Sequence, residues 1–317
     1  MTIIVIFFII NKFLEFVLFI WFCRGVHWLY LLVINLLLNL YAVMVEAPRI
    51  RITYEKIRHT KNHRIVSISG PSYKRMNVDL IDYIIRKWWF AGKYIYLMLI
   101  SSNKPTYVIR THMMMHGRIL VGNQDSPTKR AFMIIQLDND IVLRWYRSQI
   151  TLLDPNCLAE IKTNYTICTT RQAIMDSIKL MKYDLSNNRF DYNLFQSHLK
   201  NGINIHSSEI ITDFLLDQEY FPGVGNILQQ EALYDCKILP LKKVQDIDEP
   251  MFDCLCNSLK KIIDLLYESY KFRESGKEFG PILRIYRKSL CPLGHKTIRK
   301  KIGLRNRMTT WCPVCQL

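Results

Sequence analysis

Hydrophobic and polar positions divide the chain into stretches with different patterns. Residues 1–43 are mostly apolar, and Lys12, Glu15 and Arg24 are the only acidic or basic residues among them apart from histidine. The run 26–43 is close to the length of a membrane span. The pattern therefore predicts an anchored protein. The alternative interpretation is upstream sequence that is in frame but not translated. A secretory signal fits poorly, because no small-residue cleavage site follows a short apolar core.

From residue 51 to about residue 153, the apolar positions fall in short runs that are typical of strands. Residues 92–100 (GKYIYLMLI) and 105–113 (PTYVIRTHM) are rich in aromatic and β-branched side chains, and a polar break separates them. Residues 77–88 have helical spacing instead. We therefore expect a β-rich first domain with one or two helices.

From about residue 171, apolar residues recur every three or four positions, which is typical of amphipathic helices. The second domain is therefore predicted to be helical. The polar stretch 162–172 (KTNYTICTTRQ) has the composition of a linker between the two domains. After about residue 275 the chain becomes rich in glycine and charge, and it ends in a cluster of cysteine and histidine.

The charge balance favours a polyanionic partner. The chain has 43 Lys and Arg against 27 Asp and Glu, a net charge of +16, of which +15 lies after residue 43. Such a surplus suits nucleic acid or an anionic membrane surface and does not determine the fold.

The C-terminal cluster predicts a metal site. The chain has nine cysteines, an odd number, and those outside this cluster are scattered along the sequence. This pattern argues against a secreted disulfide framework and favours a reducing compartment. Cys291 and His295 are separated by three residues, Cys312 and Cys315 by two, and sixteen residues lie between the pairs. Two closely spaced pairs predict one structural zinc ion with four protein ligands. Without the metal, so small a segment could not fold.

Six cations lie between the two ligand pairs, where a metal-bound hairpin would present them rigidly. They are Lys296, Arg299, Lys300, Lys301, Arg305 and Arg307. Such a hairpin is suited to contacting phosphates, whereas the same cations without a metal would indicate only a solvated face. Arg307 stands apart because it precedes Trp311 and Cys312 near the expected tip.

A turn between two helical patterns, within residues 215–240, is a second candidate phosphate site. Pro222, Gly223 and Gly225 are followed there by Asn226. Glycines let a partner approach the backbone closely, and the amides that open a helix favour an anion. A plain tight turn is the alternative interpretation.

These pieces together resemble the DNA glycosylases of the formamidopyrimidine and endonuclease VIII type. That family begins with Pro-Glu-Gly-Pro or a variant after the initiator methionine, and residues 44–48 here read Met-Val-Glu-Ala-Pro. The segment AGKYIYLML resembles the family's Gly-Lys-Tyr strand and places its lysine at Lys93. The segment THMMMHGRI resembles the His-Leu-Gly-Met-Ser-Gly segment and places the void-filling methionine at Met115.

Two further motifs follow in the family's order. LLDQEYFPGVGNILQQEALYDCKILP matches the helix-two-turns-helix motif, with Asn226 as its phosphate-contacting asparagine. The Cys, His, Cys, Cys finger that ends in WCPVCQ is similar to the endonuclease VIII-like 2 branch, with Arg307 as the finger arginine. The resemblance covers Met44 to the C-terminus and is nearest to the endonuclease VIII-like 2 and 3 branches.

The resemblance implies an α+β multidomain fold. We expect residues 1–44 to be an apolar leader outside the active enzyme and residues 45–160 to be a β-sandwich catalytic domain with flanking helices. Residues 171–275 would be the helix-two-turns-helix DNA-binding domain, and residues 281–317 a β-hairpin zinc finger.

In the family, the N-terminal α-amine attacks the sugar C1′ of a damaged nucleotide, which places this role on Val45. An α-amine titrates near pH 8, so part of it is neutral and nucleophilic at physiological pH. Glu46 would protonate the sugar ring oxygen and then transfer protons during elimination. Because an amide nitrogen cannot form a Schiff base, we expect the active protein to begin at Val45.

The other family residues imply how DNA is held. Lys93 would bind phosphate and position the lesion, and it is grouped with Val45 and Glu46 as a catalytic residue, as is Arg307. Asn226 and Arg307 would grip the backbone on either side of the lesion. Met115 would enter the base stack where the damaged base has left it.

The sequence therefore predicts a bifunctional DNA glycosylase and abasic-site lyase that removes oxidised bases. Its expected partners are one zinc ion and damaged DNA, duplex or single-stranded, and it is expected to be an intracellular monomer. The alternatives are a membrane-tethered protein, if residues 1–43 are retained, and a catalytically inactive zinc-finger DNA-binding protein.

Overall fold

All the described residues lie within one compact unit, Met44–Leu317. The computed structural model describes residues 45–123, 130–154, 160–162, 167–275 and 282–317. Within those ranges, no helix combines the length and apolarity needed to cross a membrane. The leader 1–43, with the predicted anchor, lies outside the described residues.

Two four-stranded antiparallel sheets form the first half of the unit. Their strands are β1 (Ile65–Ser69), β2 (Ile84–Ala91), β3 (Tyr94–Ile100), β4 (Tyr107–His112), β5 (Arg118–Gly122), β6 (Met133–Leu137), β7 (Val142–Tyr146) and β8 (Gln149–Leu153). One sheet has the order β1-β6-β7-β5 and the other β2-β3-β4-β8. Leu97 of one sheet and Trp145 of the other are fully buried in a shared core, so the sheets pack face to face. This confirms the predicted β-sandwich.

Residues 77–88 are not a helix, so the prediction from their apolar spacing was wrong. Asn77 and Asp82 have positive φ angles of 50° and 66°, which interrupt helical geometry. From Ile84 onward the chain forms β2 and pairs with β3. The apolar residues here are largely isoleucine, tyrosine and tryptophan, and these side chains pack well on a sheet.

The second half is helical, as predicted. Its helices are α3 (Thr170–Leu180), α4 (Tyr192–Ile205), α5 (Ile211–Leu215), α6 (Asn226–Asp235) and α7 (Glu249–Glu274). Two helices belong to the first half: α1 (Ala47–Ile57) precedes the sandwich, and α2 (Pro71–Lys74) follows β1. Helix α7 contacts both α6 and α1 and so joins the two halves. Two antiparallel pairs complete the set: β9 (Glu160–Lys162) with β10 (Ile167–Thr169), and β11 (Ile298–Ile302) with β12 (Arg307–Trp311).

A disulfide bond joins Cys236 at the end of α6 to Cys254 in α7. The sequence analysis argued against a secreted disulfide framework and favoured a reducing compartment with one metal site, so it did not predict this bond. The packing of α6 against α7 brings the two Cα atoms to 5.8 Å, which is within the range that a disulfide requires. Spacing in the sequence does not reveal such a tertiary contact.

Candidate active site and metal centre

Glu46 is buried at the N-terminus of helix α6. Its Oε1 accepts a hydrogen bond of 2.8 Å from the Ile227 amide, and its Oε2 accepts one of 3.1 Å from the Leu228 amide. The first amides of a helix lack partners within the helix and lie at its positive end, so they stabilise a carboxylate. Gly225 leaves the space that this needs, because a Cβ there would collide with the Glu46 carboxylate.

Backbone hydrogen bonds hold the start of α1 and the β2–β3 turn against the helical half. The Ala47 amide donates to the Gly223 carbonyl at 3.0 Å. Gly223 has a φ of 84°, which side-chain-bearing residues rarely adopt. In the β2–β3 turn, the Gly92 amide donates to the Asp184 carboxylate at 2.9 Å, next to Lys93. The residue after Glu46 and the residue before Lys93 are therefore both fixed to the helical half.

The electrostatic surroundings move the pKa values of Glu46 and Lys93 in opposite directions. Burial raises the pKa of Glu46, while Lys93, the two α6 amides and Arg307 act to lower it. Burial lowers the pKa of Lys93 to about 8, an effect that Glu46 opposes and Arg307 reinforces. A buried carboxyl beside an amine that titrates near neutral pH is an arrangement suited to proton transfer.

Arg307, which acts on the pKa of both Glu46 and Lys93, lines a pocket of about 230 Å³. The pocket is lined by Met115, Asn226, Tyr286, Arg287, Arg299, Asn306, Arg307 and Met308. Three of these residues, Met115, Asn226 and Arg307, were predicted from the sequence to hold DNA. They come from the sandwich, from α6 and from β12, so the fold brings together residues that are far apart in the chain.

Val45 lies directly before Glu46 and is only 7% exposed, packed into the sandwich core. In the full sequence its nitrogen forms the peptide bond to Met44. The backbone nitrogen that the sequence singled out therefore belongs to the residue directly before Glu46.

The three consecutive methionines have different environments. Met113 is fully buried in the core, whereas Met114 and Met115 are 49% and 54% exposed.

His112 orders the loop that carries these methionines, because its Nδ1 accepts a hydrogen bond of 3.2 Å from the Met114 amide. Burial and two neighbouring cations, Lys93 first, lower the pKa of His112 to about 4, so its ring is neutral and able to accept this bond. The sequence analysis missed His112, although it lies within the motif that identified Met115.

Asn226 is 6% exposed and faces β12. Its Nδ2 donates to the Met308 carbonyl at 2.9 Å, and Gln230 Nε2 donates to the same carbonyl at 3.2 Å. The Thr310 amide donates to Gln230 Oε1 at 2.8 Å. The side chain predicted to contact phosphate therefore also fixes the β11–β12 hairpin to α6, together with Gln230, which the sequence analysis missed.

The four predicted metal ligands converge. Sγ of Cys291 lies 3.6 Å from Nδ1 of His295 and 3.9 Å from Sγ of Cys315, and Nδ1 of His295 lies 3.3 Å from Sγ of Cys315 and 3.8 Å from Sγ of Cys312. All four ligand atoms lie within 4.8 Å of one another. Metal–ligand bonds of about 2.0–2.3 Å give tetrahedral edges of roughly 3.3–3.8 Å. The cluster could therefore bind one metal ion.

Comparison with known families identifies the helical half. Residues 183–273 match the model of the formamidopyrimidine-DNA glycosylase H2TH domain, where H2TH denotes helix-two-turns-helix. The chain carries this glycosylase H2TH domain. Asn226 and the turn that receives Glu46 lie inside it, which confirms the family resemblance found in the sequence.

Several relatives share parts of the chain. Endonuclease 8-like 3 of Mus musculus is 26% identical over 212 residues, which are 66% of this chain and 31% of that protein. Endonuclease 8-like 2 of Mus musculus is 34% identical over 110 residues, 32% of this chain and 30% of that protein. Formamidopyrimidine-DNA glycosylase of Prochlorococcus marinus is 30% identical over 154 residues, 45% of this chain and 52% of that protein. The chain thus spans about a third of the length of the two mouse relatives.

The fold also matches a solved structure. The crystal structure of Lactococcus lactis formamidopyrimidine-DNA glycosylase, bound non-covalently to DNA containing an abasic site, superposes with a TM-score of 0.64 at 21% identity. The match covers 86% of this chain and 99% of that one. It confirms the mixed α+β fold, with N-terminal sheets, an H2TH domain and a C-terminal hairpin.

A second buried glutamate of the H2TH domain was missed by the sequence analysis. Glu231 accepts hydrogen bonds from the amides of Arg284, Ile285 and Tyr286 at 2.8, 3.0 and 2.7 Å. It thereby fixes the segment that precedes the β11–β12 hairpin and places Tyr286 in the pocket wall. A glutamate inside a helical pattern gives no sign of such a role.

The H2TH domain also holds the tip of the hairpin. The Asp213 carboxylate accepts hydrogen bonds from the amides of Leu304 and Arg305 at 2.7 and 3.3 Å. The Arg305 guanidinium forms an ion pair of 2.9 Å with Asp217. The backbone just before Arg307 is therefore anchored to the H2TH domain, while the Arg307 side chain remains exposed.

Proposed function

We propose that this chain is a base-excision-repair DNA glycosylase that removes oxidised bases and carries an associated abasic-site lyase activity. The observation that carries the proposal is the buried carboxyl group of Glu46, which two amides of α6 hold in place. Glu46 directly follows Val45 in the chain. Two of the relatives, an endonuclease 8-like protein and a formamidopyrimidine-DNA glycosylase, support the same reaction class. Residues 45–160 would form the catalytic domain, 171–275 the DNA-binding domain and 281–317 the finger.

The proposed nucleophile is the free α-amine of a species that begins at Val45. Its nitrogen attacks C1′ of the damaged nucleotide, the bond from C1′ to the base breaks, and the base leaves with a proton. Opening of the sugar ring and loss of the amine proton then give a Schiff base. β-Elimination removes a proton from C2′ and breaks the bond between C3′ and its phosphate oxygen. Water finally hydrolyses the Schiff base and releases the free amine of Val45 from the sugar aldehyde.

Glu46 would be the proton carrier in these steps. Protonated, it donates to the ring oxygen of the sugar; ionised, it accepts a proton during elimination. Burial raises the pKa of Glu46, which increases the fraction able to donate near neutral pH. The two amides of α6 hold its carboxyl in one position, so the group is oriented before the substrate arrives.

DNA would lie along the pocket that joins the sandwich, α6 and the hairpin. Lys93 and Arg307 supply the positive charge beside Glu46 and would bind the phosphates next to the lesion. Asn226 lines the same pocket and would contact the backbone from the H2TH side. Met115, exposed at the end of an ordered loop, would fill the space left by the flipped nucleotide.

The cysteine and histidine cluster would hold one structural zinc ion. Cys291, His295, Cys312 and Cys315 offer three sulfur atoms and one nitrogen atom, a donor set that zinc prefers. With four protein ligands the ion has no open position, so it stabilises the hairpin that presents Arg307 and takes no part in the reaction itself.

Borohydride trapping on an oligonucleotide with a single abasic site tests the proposal. The reagent reduces a Schiff base to a stable amine, so protein that begins at Val45 should form a covalent adduct. The adduct should disappear in Glu46→Gln and when extra residues precede Val45. Salt-sensitive binding without any adduct in the species that begins at Val45 would show instead that the chain only binds DNA.

A further inference from the structure

A second concavity, of about 710 Å³, lies on the sandwich at the far end of α1 from Glu46. Its lining residues are Tyr54, Arg58, His59, Lys61, Arg86, Lys87, Trp88 and Met98. Five of these eight residues are basic and none is acidic. We call this site the basic pocket.

Hydrogen bonds build one wall of the basic pocket. The segment that follows α1 is held against β2, where Trp88 Nε1 donates to the Thr60 hydroxyl at 3.0 Å and the Asn62 amide donates to the Ile85 carbonyl at 2.8 Å. The Thr60 hydroxyl in turn donates to the Ile57 carbonyl at 2.7 Å. Arg58, His59 and Lys61 are therefore presented from a fixed segment.

A β-bulge builds the opposite wall. Ile85 pairs with Leu99 and Lys87 with Met98, so Arg86 is an extra residue in β2. Successive side chains of a regular strand point to opposite faces, and one of these two cations would then face the core. The bulge instead leaves both Arg86 and Lys87 exposed.

The basic pocket has no acidic lining residue to balance its positive charge. Among the residues that the structure describes, no carboxylate forms an ion pair with Arg58, Lys61, Arg86 or Lys87. Burial, together with the nearby cation Arg189, lowers the pKa of Lys87. Like charges gathered around one concavity repel one another, and an anion from outside relieves that repulsion.

We propose that the basic pocket binds the phosphodiester backbone of DNA outside the lesion site. The proposal rests on the proposed function and adds a second contact to it. Helix α1 rises about 15 Å from Ala47 to Ile57, and this separation between Glu46 and the basic pocket corresponds to roughly four to five base-pair steps of B-DNA. An anionic membrane is the weaker candidate, because neither lining aromatic is free to insert into lipid: Trp88 is only 5% exposed, and Tyr54 is half-buried and packs against Phe90.

DNA length provides the test. The variant carries Arg58→Gln, Lys61→Gln, Arg86→Gln and Lys87→Gln. The matched control neutralises four exposed lysines outside both pockets: Lys182→Gln, Lys200→Gln, Lys237→Gln and Lys243→Gln. Affinity is measured by fluorescence anisotropy at several salt concentrations. The probes are abasic-site duplexes of about 9 and about 25 base pairs with the lesion at the centre. The shorter one extends only about 14 Å to either side of the lesion, which is less than the rise of α1.

On the longer duplex, the variant should bind at least about tenfold more weakly than the unmodified protein. The slope of log affinity against log salt should fall by about 0.9 for each phosphate that the variant no longer neutralises. On the shorter duplex, affinity and the yield of borohydride adduct should match those of the unmodified protein. Equally weakened binding on both duplexes, or an equally large effect in the control, would overturn the inference.

Further measurements distinguish misfolding of the variant, failure of the proposed lyase function and binding to membranes from one another. Thermal unfolding should show that the variant folds as the unmodified protein does. If the unmodified protein forms no adduct but its affinity still depends on DNA length through these four cations, the proposed lyase function fails and the second contact stands. If the variant instead loses binding only to vesicles that contain anionic lipid, the contact is to membranes and the inference is wrong.

Discussion

Helix α6 is met by two buried glutamates whose environments differ in one decisive respect. Glu46 reaches the N-terminus of α6 from the sandwich. Glu231 is a residue of α6, and its side chain extends toward the segment before the β11–β12 hairpin. Both accept backbone hydrogen bonds, and burial raises the pKa of both. Three amides and Arg284 surround Glu231, whereas Glu46 lies beside Lys93 and Arg307 next to an open pocket. Burial and a raised pKa therefore do not identify a catalytic acid, and the groups around the carboxyl do.

The largest effect is expected from Glu46→Gln. Removal of the proton carrier should lower the rates of base release and adduct formation by about 10²–10⁴-fold. A glutamine keeps one acceptor for an α6 amide but turns its NH₂ group toward the other, so the free energy of unfolding should decrease by about 1–3 kcal/mol. Single-turnover kinetics and thermal unfolding measure the two effects separately. Unchanged adduct formation would remove Glu46 from the mechanism.

Metal removal should have the next largest effect, because it acts on the hairpin and leaves Glu46 in place. Without the ion, the Cys312 and Cys315 end of the hairpin loses its cross-link, and Arg307 is positioned only by the contacts of the H2TH domain with Leu304 and Met308. Affinity for abasic-site DNA should fall by at least about tenfold, since Arg307 and the hairpin cations contact phosphate in the proposed complex. Native mass spectrometry should find one zinc ion per chain before chelation. A metal-free protein with unchanged affinity would contradict the structural role.

Glu231→Gln should resemble Glu46→Gln in its effect on stability and differ from it in its effect on activity. A glutamine keeps one acceptor oxygen but turns an amide donor toward another backbone N–H, so we expect a decrease of about 1–3 kcal/mol in the free energy of unfolding. At a temperature where the variant is fully folded, adduct formation per folded molecule should stay within about threefold of the unmodified protein. If the rate falls as far as in Glu46→Gln while the stability does not change, the two glutamates do not differ in the way described above.

The sequence predicted the parts of this molecule that rest on short motifs. The ligand spacing identified Cys291, His295, Cys312 and Cys315, and the four atoms converge. The family resemblance singled out Glu46, which lies at the start of the H2TH helix. Both results come from patterns in which a few neighbouring residues carry the chemistry.

The sequence did not reveal contacts made across the fold. Asp213 and Gln230 sit in ordinary helical patterns, yet both hold the hairpin through backbone amides that lie about 80 to 90 residues further along the chain. Backbone donors leave no trace in residue types, so no pattern points to such a contact. The helix predicted at 77–88 failed for a related reason, since packing against β3 outweighed the local period.

The smallest expected effect concerns Lys93, one of the two cations that distinguish the surroundings of Glu46 from those of Glu231. Burial lowers the pKa of Lys93 to about 8 in the free protein, and a bound phosphate would raise it. The contribution of Lys93 to DNA affinity is then fully present below pH 8, and it disappears as the pH rises above 8, by at most about tenfold per pH unit. Lys93→Arg keeps its charge throughout, so its affinity should stay nearly constant across the same range. Anisotropy titrations from about pH 6.5 to about pH 9.5 measure this, with extra residues before Val45 so that no free amine titrates there. Identical pH profiles for the two proteins would mean that another group binds the phosphate beside Glu46.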